Sequence, residues 1–270
     1  MSKCIFRFLF TYKAGILLAF ILSFAACSPQ QEQEVAAELT EVINDITTSA
    51  NHANRANKNE ISIFKKIDAT DAEDLEVYIK MNAGVLQLKG GTESLVYAGF
   101  IVSDKDREPK VIYERNRNTA ILTIRDKEHK GNYEINDSTR NVWNIKLNER
   151  IQTELNVEIG AGTAKIIASD LTISRLTVAA GAGKLDIYLN KDFRRDVRVK
   201  IAGGIGVTNV YLPNNQAVMV TANKGLGAIN SQGLMQEGST YTNALYKTSS
   251  KVLRVDVSAG IGAINLIVED

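Results

Sequence analysis

The chain has 270 residues, of which 44% are hydrophobic and 23% charged, and its formal net charge is +1. This composition is typical of a globular protein of one or two domains with enough apolar residues to bury a core. A net charge near zero lacks the basic excess of nucleic-acid-binding proteins, and two cysteines are too few for a disulfide-rich scaffold. We therefore expect no nucleic-acid partner and no disulfide framework.

Residues 1–26 have the organisation of a secretory signal peptide. Basic residues precede an uncharged stretch from Ala14 to Phe24, and small residues follow it. That stretch is too short to span a bilayer, which needs about 20 apolar residues. Loss of Lys3, Arg7 and Lys13 with this segment leaves 29 basic and 31 acidic side chains, so the mature chain has no electrostatic reason to bind polyanions.

Cys27 directly follows two alanines, and this segment resembles the lipobox of bacterial lipoproteins. The resemblance implies that Cys27 is lipidated and becomes the first residue of an exported protein, anchored in a membrane by its acyl chains. The alternative is ordinary cleavage that leaves Cys27 as a free thiol, a liability in an oxidising compartment. Ser28 carries no inner-membrane retention signal by the enterobacterial rule, which favours the outer membrane or the cell surface.

Residues 27–61 predict a tether with one short helix. Apolar residues from Val35 to Ile46 recur at helical spacing, and an Asn-rich tract that contains His52 follows them. The apolar stripe either docks on the body or on another copy, or belongs to a marginal helix in a spacer.

From residue 62 onward, short alternating runs of Val, Ile, Leu and Thr predict an all-β body. We divide it into a less regular region, residues 62–150, and a repeat region, residues 151–270. In the first region, Val111–Tyr113 and Thr119–Ile124 predict a hairpin. We interpret Trp143, the only Trp, as a packing residue between the two regions.

A Gly-x-Gly motif recurs five times in the repeat region and uses 10 of the 19 glycines. The copies lie at residues 160–162, 181–183, 204–206, 225–227 and 260–262. A period of about 22 residues predicts a solenoid-like stack of short strands, in which each unit buries its apolar face on its neighbours. The insertion from Gly233 to Tyr246 breaks the period, and it is either a functional loop or a plain surface excursion.

The apolar alternation changes phase at each motif. In the last copy it runs from Leu253 through Ile261 and resumes at Ile264 with the opposite parity. A strand cannot change parity while keeping one face inward, so each copy needs a bulge or corner at its second glycine, where a positive φ carries no steric penalty. An earlier copy has Asn82 in place of its first glycine. The predicted corners are Gly84, Gly162, Gly183, Gly206, Gly227 and Gly262.

Several segments of this pattern resemble the toast-rack domains, which are all-β, Gly-rich modules of bacterial envelope proteins such as the LiaF-like cell-wall-active antibiotic response proteins. The segments are Leu75–Gly91, Trp143–Leu147, Leu155–Gly162 and Leu171–Leu189, within residues 62–270. LiaF-like members usually carry transmembrane helices, whereas this chain has a predicted lipoprotein signal, so a link to antibiotic-response signalling stays open. The resemblance supplies no catalytic residues.

The sequence contains no recognisable catalytic or metal-binding motif. The Gly-x-Gly copies lie between strands rather than between a strand and a helix, which indicates structural turns and not a dinucleotide loop. His129 has no second His or Cys nearby, so we expect no metal or cofactor. Five carboxylates are expected to be solvated in or beside turns, namely Asp104, Asp106, Asp126, Asp186 and Asp192. A carboxylate pair from distant repeats, as in glycan-cleaving β-helices, remains an alternative.

These patterns predict a non-enzymatic envelope lipoprotein that acts as a scaffold, an envelope-stress sensor or a binding module. We expect its strand edges or the insertion to contact another envelope protein or a cell-wall glycan. The last strand stops at Val268 without a cap, which predicts a homodimer through the C-terminal edge. The alternatives are a glycan-active β-helix enzyme and a self-assembling structural solenoid.

Overall fold

The computed structural model describes residues 60–68, 71–103, 105–127, 140–249 and 251–269. Cys27, the predicted N-terminal helix, both histidines and Asp104 lie outside the described residues. Within the described residues the fold is all-β, as predicted. Thirteen strands form there: β1 (Ile61–Ile67), β2 (Asp74–Thr92), β3 (Val96–Val102), β4 (Lys110–Asn116), β5 (Thr119–Arg125), β6 (Asn141–Asn148), β7 (Gln152–Ile167), β8 (Ile173–Tyr188), β9 (Val197–Pro213), β10 (Ala217–Gln232), β11 (Met235–Glu237), β12 (Thr240–Thr242) and β13 (Val252–Glu269).

Six long strands lie side by side and parallel, in the spatial order β2-β7-β8-β9-β13-β10. We call the part of each strand before its corner glycine the first arm and the part after it the second arm. The first arm of β2 pairs with β5, which forms the predicted hairpin with β4. The second arm of β2 pairs with β6, followed by β3 and β1. The corner glycines therefore separate two sheet surfaces that share their long strands.

The inner faces of both arms contribute to one hydrophobic core. In β13, Val257 and Ile264 are both buried although an odd number of positions separates them. Unbroken alternation would place these two side chains on opposite faces of the sheet. The predicted phase change is thus present, and it lets the strand turn inward aliphatic side chains on both sides of the bend.

The corner glycines form a column across the six strands, since each pairs with the corner glycine of its neighbour. The six have φ between +129° and +149°, a region that side chains disfavour. A Cβ built on Gly183 would meet the carbonyl oxygen of Gly162, and one on Gly262 would meet that of Gly206. The first glycine of the motif has the same kind of neighbour, since a Cβ on Gly181 would meet the carbonyl oxygen of Gly160. Both glycines allow adjacent backbones to approach each other.

The spatial order of the strands departs from the order of the chain at β13. This last strand lies between β9 and β10 and pairs with both along almost its whole length. The expected exposed C-terminal edge is therefore wrong. In this order the other side of the first arm of β10 is taken by the insertion, whose strand β12 pairs with β10 at Met219–Thr221.

The two predicted β regions share one continuous sheet. β2 belongs to the region before residue 150, and it pairs with β7 along both arms. Trp143 in β6 is fully buried, as expected of a packing residue, and its ring meets Phe100 edge-on at 5.7 Å between ring centroids.

The insertion is likewise part of the sheet rather than a plain excursion, since it contains β11 and β12 and continues into a 3-10 turn at Ala244–Lys247.

We expect Gly183→Ala to lower the free energy of unfolding by about 1–3 kcal/mol more than Gly238→Ala does, measured by urea titration. Gly238 also has a positive φ, of +61°, but a Cβ there would meet nothing within 4 Å. The expected difference contains both the collision with the neighbouring strand and the larger strain of a side chain at φ +129°, which L-residues tolerate less well than +61°. Equal losses in the two variants would contradict the role of the glycine column in strand approach.

Candidate functional site

The middle residues of the glycine motifs form a row along the outside of the corner. Its members in spatial order are Ala83, Ala161, Ala182, Ile205, Ile261 and Leu226. The three alanines are half-buried, whereas Ile205, Ile261 and Leu226 are 59%, 49% and 70% exposed. The expectation that Ile261 faces inward is wrong, because the inward alternation stops before the bend and the bend turns the middle residue outward.

We call the large members of this row, together with the adjacent Val207, the apolar ridge. Val207 is 37% exposed and follows the corner of β9. Single exposed aliphatic residues are ordinary on protein surfaces, but contiguous exposed apolar patches mark interaction sites. The apolar ridge is contiguous because Ile205 pairs with Ile261, and Ile261 pairs with Leu226.

The β2 end of the stack is closed by buried polar side chains. Asp126 Oδ2 accepts a hydrogen bond from the backbone N–H of Asn82 (2.6 Å), and Asp126 Oδ1 accepts one from Asn141 Nδ2 (3.1 Å). Asn141 Nδ2 also donates to the carbonyl oxygen of Ala83 (2.9 Å), and its Oδ1 accepts from Trp143 Nε1 (2.6 Å). Asp126 is therefore buried and hydrogen-bonded, and the expectation that it is solvated in or beside a turn is wrong.

The β10 end of the stack is open beyond the corner. Residues 225–232 of β10, which we call the open edge, pair with β13 on one side, and no described strand pairs with them on the other. All of them are exposed except the half-buried Ile229. The open edge reads Gly-Leu-Gly-Ala-Ile-Asn-Ser-Gln, without a charge or a proline.

Natural proteins protect sheet edges with charges, proline or bulges. The outer strands at the other end of the molecule carry such charges: Lys65 and Lys66 in β1, and Lys110, Glu114 and Arg115 in β4. The open edge has neither a charge nor a proline, and within the described residues the outer side of its backbone is unpaired.

A ladder of polar side chains crosses the outer face of the second arm and ends at the open edge. Lys184 Nζ donates to Asp186 Oδ2 (2.7 Å), which raises the pKa of Lys184, and Asn209 Nδ2 donates to Asp186 Oδ1 (2.6 Å). Asn265 Nδ2 then donates to Asn209 Oδ1 (2.6 Å), and Asn230 Nδ2 to Asn265 Oδ1 (2.8 Å). Asp186 was expected beside a turn, but it lies within β8 and is 8% exposed.

A pair of tyrosines lies on the outer face of the same arm. Tyr188 and Tyr211 stack at 4.2 Å between ring centroids, and Lys165 Nζ lies 5.3 Å from the centre of the Tyr188 ring. Burial and the hydrogen bond with Tyr211 raise the pKa of the Tyr188 hydroxyl to about 12. Since Tyr211 and Lys165 cover its ring, Tyr188 does not offer a stacking platform for a sugar.

Among the described residues we looked for two arrangements, a cluster of metal ligands and a pair of carboxylates in a groove. They contain no group of three or more His, Cys, Asp or Glu side chains placed to hold a metal ion. Nor does this part of the chain include a helix long and apolar enough to cross a membrane. A shallow groove of about 470 Å³ runs past Asn82 and Gly181, and Glu158 is its single carboxylate, 3.2 Å from Lys80 Nζ. A glycan-cleaving carboxylate pair does not line this groove.

The sequence analysis did not predict the open edge, although one residue of β10 indicates it. Its Ser231 occupies the inward position that Leu266 fills in β13 and Val210 fills in β9. A polar residue at the end of an aliphatic row indicates the last strand of the stack.

We expect replacement of Ile205, Ile261 and Leu226 together by Thr to change the free energy of unfolding by less than about 0.5 kcal/mol per site, because these side chains are exposed. Fluorescence of a hydrophobic dye bound to the folded protein should fall. The buried Ile201 supplies the control, since Ile201→Ala should cost about 2–5 kcal/mol. A large loss of stability in the triple variant would show that the apolar ridge stabilises the fold, which contradicts its interpretation as an exposed contact surface.

Comparisons with known proteins agree with this architecture. The family model described as the N-terminal domain of toast_rack, DUF2154, matches residues 53–211. A solved structure from Clostridium sporogenes ATCC 15579, described as a candidate cell adhesion protein, is 33% identical, covers 78% of this chain and 100% of its own, and has a TM-score of 0.75.

Two further solved structures are described as candidate adhesins. The one from Bacteroides fragilis NCTC 9343 is 11% identical, with a TM-score of 0.34, and covers 78% of this chain and 98% of its own. The one from Parabacteroides merdae ATCC 43184 is 16% identical, with a TM-score of 0.25, and covers 77% of this chain and 81% of its own. Because both TM-scores are below 0.5, these two likenesses do not establish a shared fold.

No curated protein matches the chain. The family model spans more than half of the sequence, and the relative with the TM-score of 0.75 covers most of it. With its bent, glycine-cornered strands, this protein belongs to the toast-rack family.

Proposed function

We propose that the protein is a non-enzymatic binding module of the bacterial cell envelope, held on a membrane through Cys27, which engages another macromolecule through the open end of the stack. The relative from Clostridium sporogenes, described as a candidate cell adhesion protein, supports a role in surface contacts. The glycan-active enzyme receives no support from the described residues, because the groove beside Asn82 holds a single carboxylate.

The observation that carries this proposal is the apolar ridge beside the unprotected open edge. Leu226 is 70% exposed and belongs to both features. Burial of apolar surface contributes about 25 cal/mol per Å², and strand addition supplies backbone hydrogen bonds along an exposed edge. A partner that pairs with the edge and covers the ridge gains both contributions.

The closed end shows that this exposure is not a general property of the corners. At the β2 end the carbonyl oxygen of Ala83 accepts a hydrogen bond from Asn141, which also donates to Asp126 and accepts one from Trp143 Nε1. The two ends of the molecule therefore differ, and the proposed contact uses one of them.

The proposed anchor is tested by Cys27→Ser. Without the cysteine no acyl chain can be attached, so the protein should move from the membrane fraction to the soluble exported fraction, detected by immunoblotting of cell fractions and by labelling with a fatty-acid analogue. Cys4→Ser is the matched control and should remain in the membrane fraction, since Cys4 lies within the predicted signal peptide. Incorporation of the fatty-acid analogue into the Cys27→Ser protein at the level of the parent chain would contradict the anchor.

The proposed contact is tested by placing a photo-crosslinking amino acid at Leu226 in living cells and identifying the adducts by mass spectrometry. We expect illumination to give a discrete adduct at this position. The matched control is the same amino acid at Lys200, an exposed position on the outer face of β9. Absence of any adduct at Leu226, or identical adducts at both positions, would contradict a binding role for the open end.

A further inference from the structure

We propose that the partner at the open end is a second copy of this chain, and that the second arms of two β10 strands pair antiparallel through residues 228–232, around a two-fold axis at Asn230. This inference rests on the proposed function, because it names the partner of the same surface. It replaces the expected dimer through the last strand, since β13 is paired on both sides.

The contacts between corner glycines inside the molecule indicate which residues can approach the open edge closely. In the spatial order of the strands, each corner glycine after Gly84 lies against the carbonyl oxygen of the preceding strand's corner glycine. The last of these contacts is between Gly227 and the carbonyl oxygen of Gly262. By the same repeat, the carbonyl of Gly227 faces the open side. A parallel neighbour in the same register would need a glycine at this place, and a side chain that any other neighbour brings close to Gly227 would meet the same carbonyl.

The proposed register meets that requirement from the same sequence. If Asn230 lies opposite Asn230 of the second copy, Ala228 lies opposite Gln232, and the residue that follows the paired segment on the side of Gly227 is Gly233, where the chain leaves the strand with a φ of +79°. Gly233 has no Cβ, so the corner carbonyl meets no side chain there. A pairing centred on Ile229 would place Ser231 opposite Gly227 instead, which brings a side chain to the corner.

The outer face supports the same centre. The ladder that starts at Lys184 and Asp186 reaches Asn230 through Asn265. Across a two-fold axis at Asn230 the two ladders meet amide to amide. An amide carries both donors and acceptors, so the two side chains can hydrogen-bond to each other. In this arrangement Ile229 and Ser231 lie on the inner face. Ile229 of one copy lies opposite Ser231 of the other.

Charge and apolar contact also favour a second copy. Two identical edges repel where like charges lie opposite each other, and the open edge has no charged residue. Leu226 lies shortly before the paired residues and is 70% exposed in the single chain, so a second copy on the edge would cover part of it.

The paired segment is short, so the contact should be weak between free molecules. Two anchored copies in one membrane have a raised effective concentration, which converts a weak edge contact into a populated dimer. The proposal therefore concerns the anchored protein, and its test belongs in intact cells.

The test is disulfide formation by Asn230→Cys in the full chain, expressed in cells and treated with a mild oxidant. Directly opposed residues of an antiparallel pair lie about 4.5–5.5 Å apart between Cα atoms, within the range that a disulfide spans. We expect a band of twice the monomer mass on non-reducing gels that reductant removes. The parent chain and Lys200→Cys are the controls, and neither should give this band.

A second variant separates pairing from random collision. Leu226→Lys added to Asn230→Cys places a charge beside the paired residues and should remove most of the dimer band, while thermal unfolding of the protein stays unchanged because Leu226 is exposed. A band that persists in this double variant, or an equal band from Lys200→Cys, would overturn the inference. So would the absence of a band from Asn230→Cys.

The two proposals fail in different ways. An adduct at Leu226 that contains another protein, with no disulfide from Asn230→Cys, leaves the binding role standing and overturns the second copy as partner. No adduct at Leu226 and no disulfide overturns both. An adduct made of two copies of this chain together with the disulfide supports both.

Discussion

The close approach of neighbouring backbones at the corner is the constraint on which the rest of the structure depends. At Gly183 the space that a Cβ would need is occupied by the carbonyl oxygen of Gly162, and the relation repeats from strand to strand. Six strands can bend at one shared line only if none of them brings a side chain there. The bend lets both arms turn aliphatic side chains toward a common core, so the glycine column and the core form together.

The same constraint determines what the corner shows to solvent. The glycines on either side take part in backbone contacts, and the residue between them points away from the core. The fold therefore does not restrict the size of this middle residue. It is alanine at the β2 end and Ile205, Ile261 and Leu226 at the β10 end. The asymmetry between the buried polar cluster around Asp126 and the uncovered β10 strand gives the molecule one closed end and one end suited to a contact.

Buried polar groups follow the repeat as well. Asp186 can be buried because Lys184 and Asn209 both donate to it, and an isolated carboxylate at that position would be costly. Each such hydrogen bond adds a modest net stability, but together they favour one alignment of the strands, because a shift would leave buried partners unpaired. The ladder therefore supports the register that the glycines require.

The all-β fold, the hairpin of β4 and β5 and the six bends could be predicted from the sequence, because alternation, turn residues and a repeated phase change are local patterns. The sequence did not determine the outward direction of Ile261, the burial of Asp126 and Asp186, or the position of β13. Those depend on which strands become neighbours, and the repeat permits several orders with similar local contacts. In the folded chain β12 occupies one side of the first arm of β10 and β13 fills the other. The same placement decided which strand is left open, and with it the surface available for a partner.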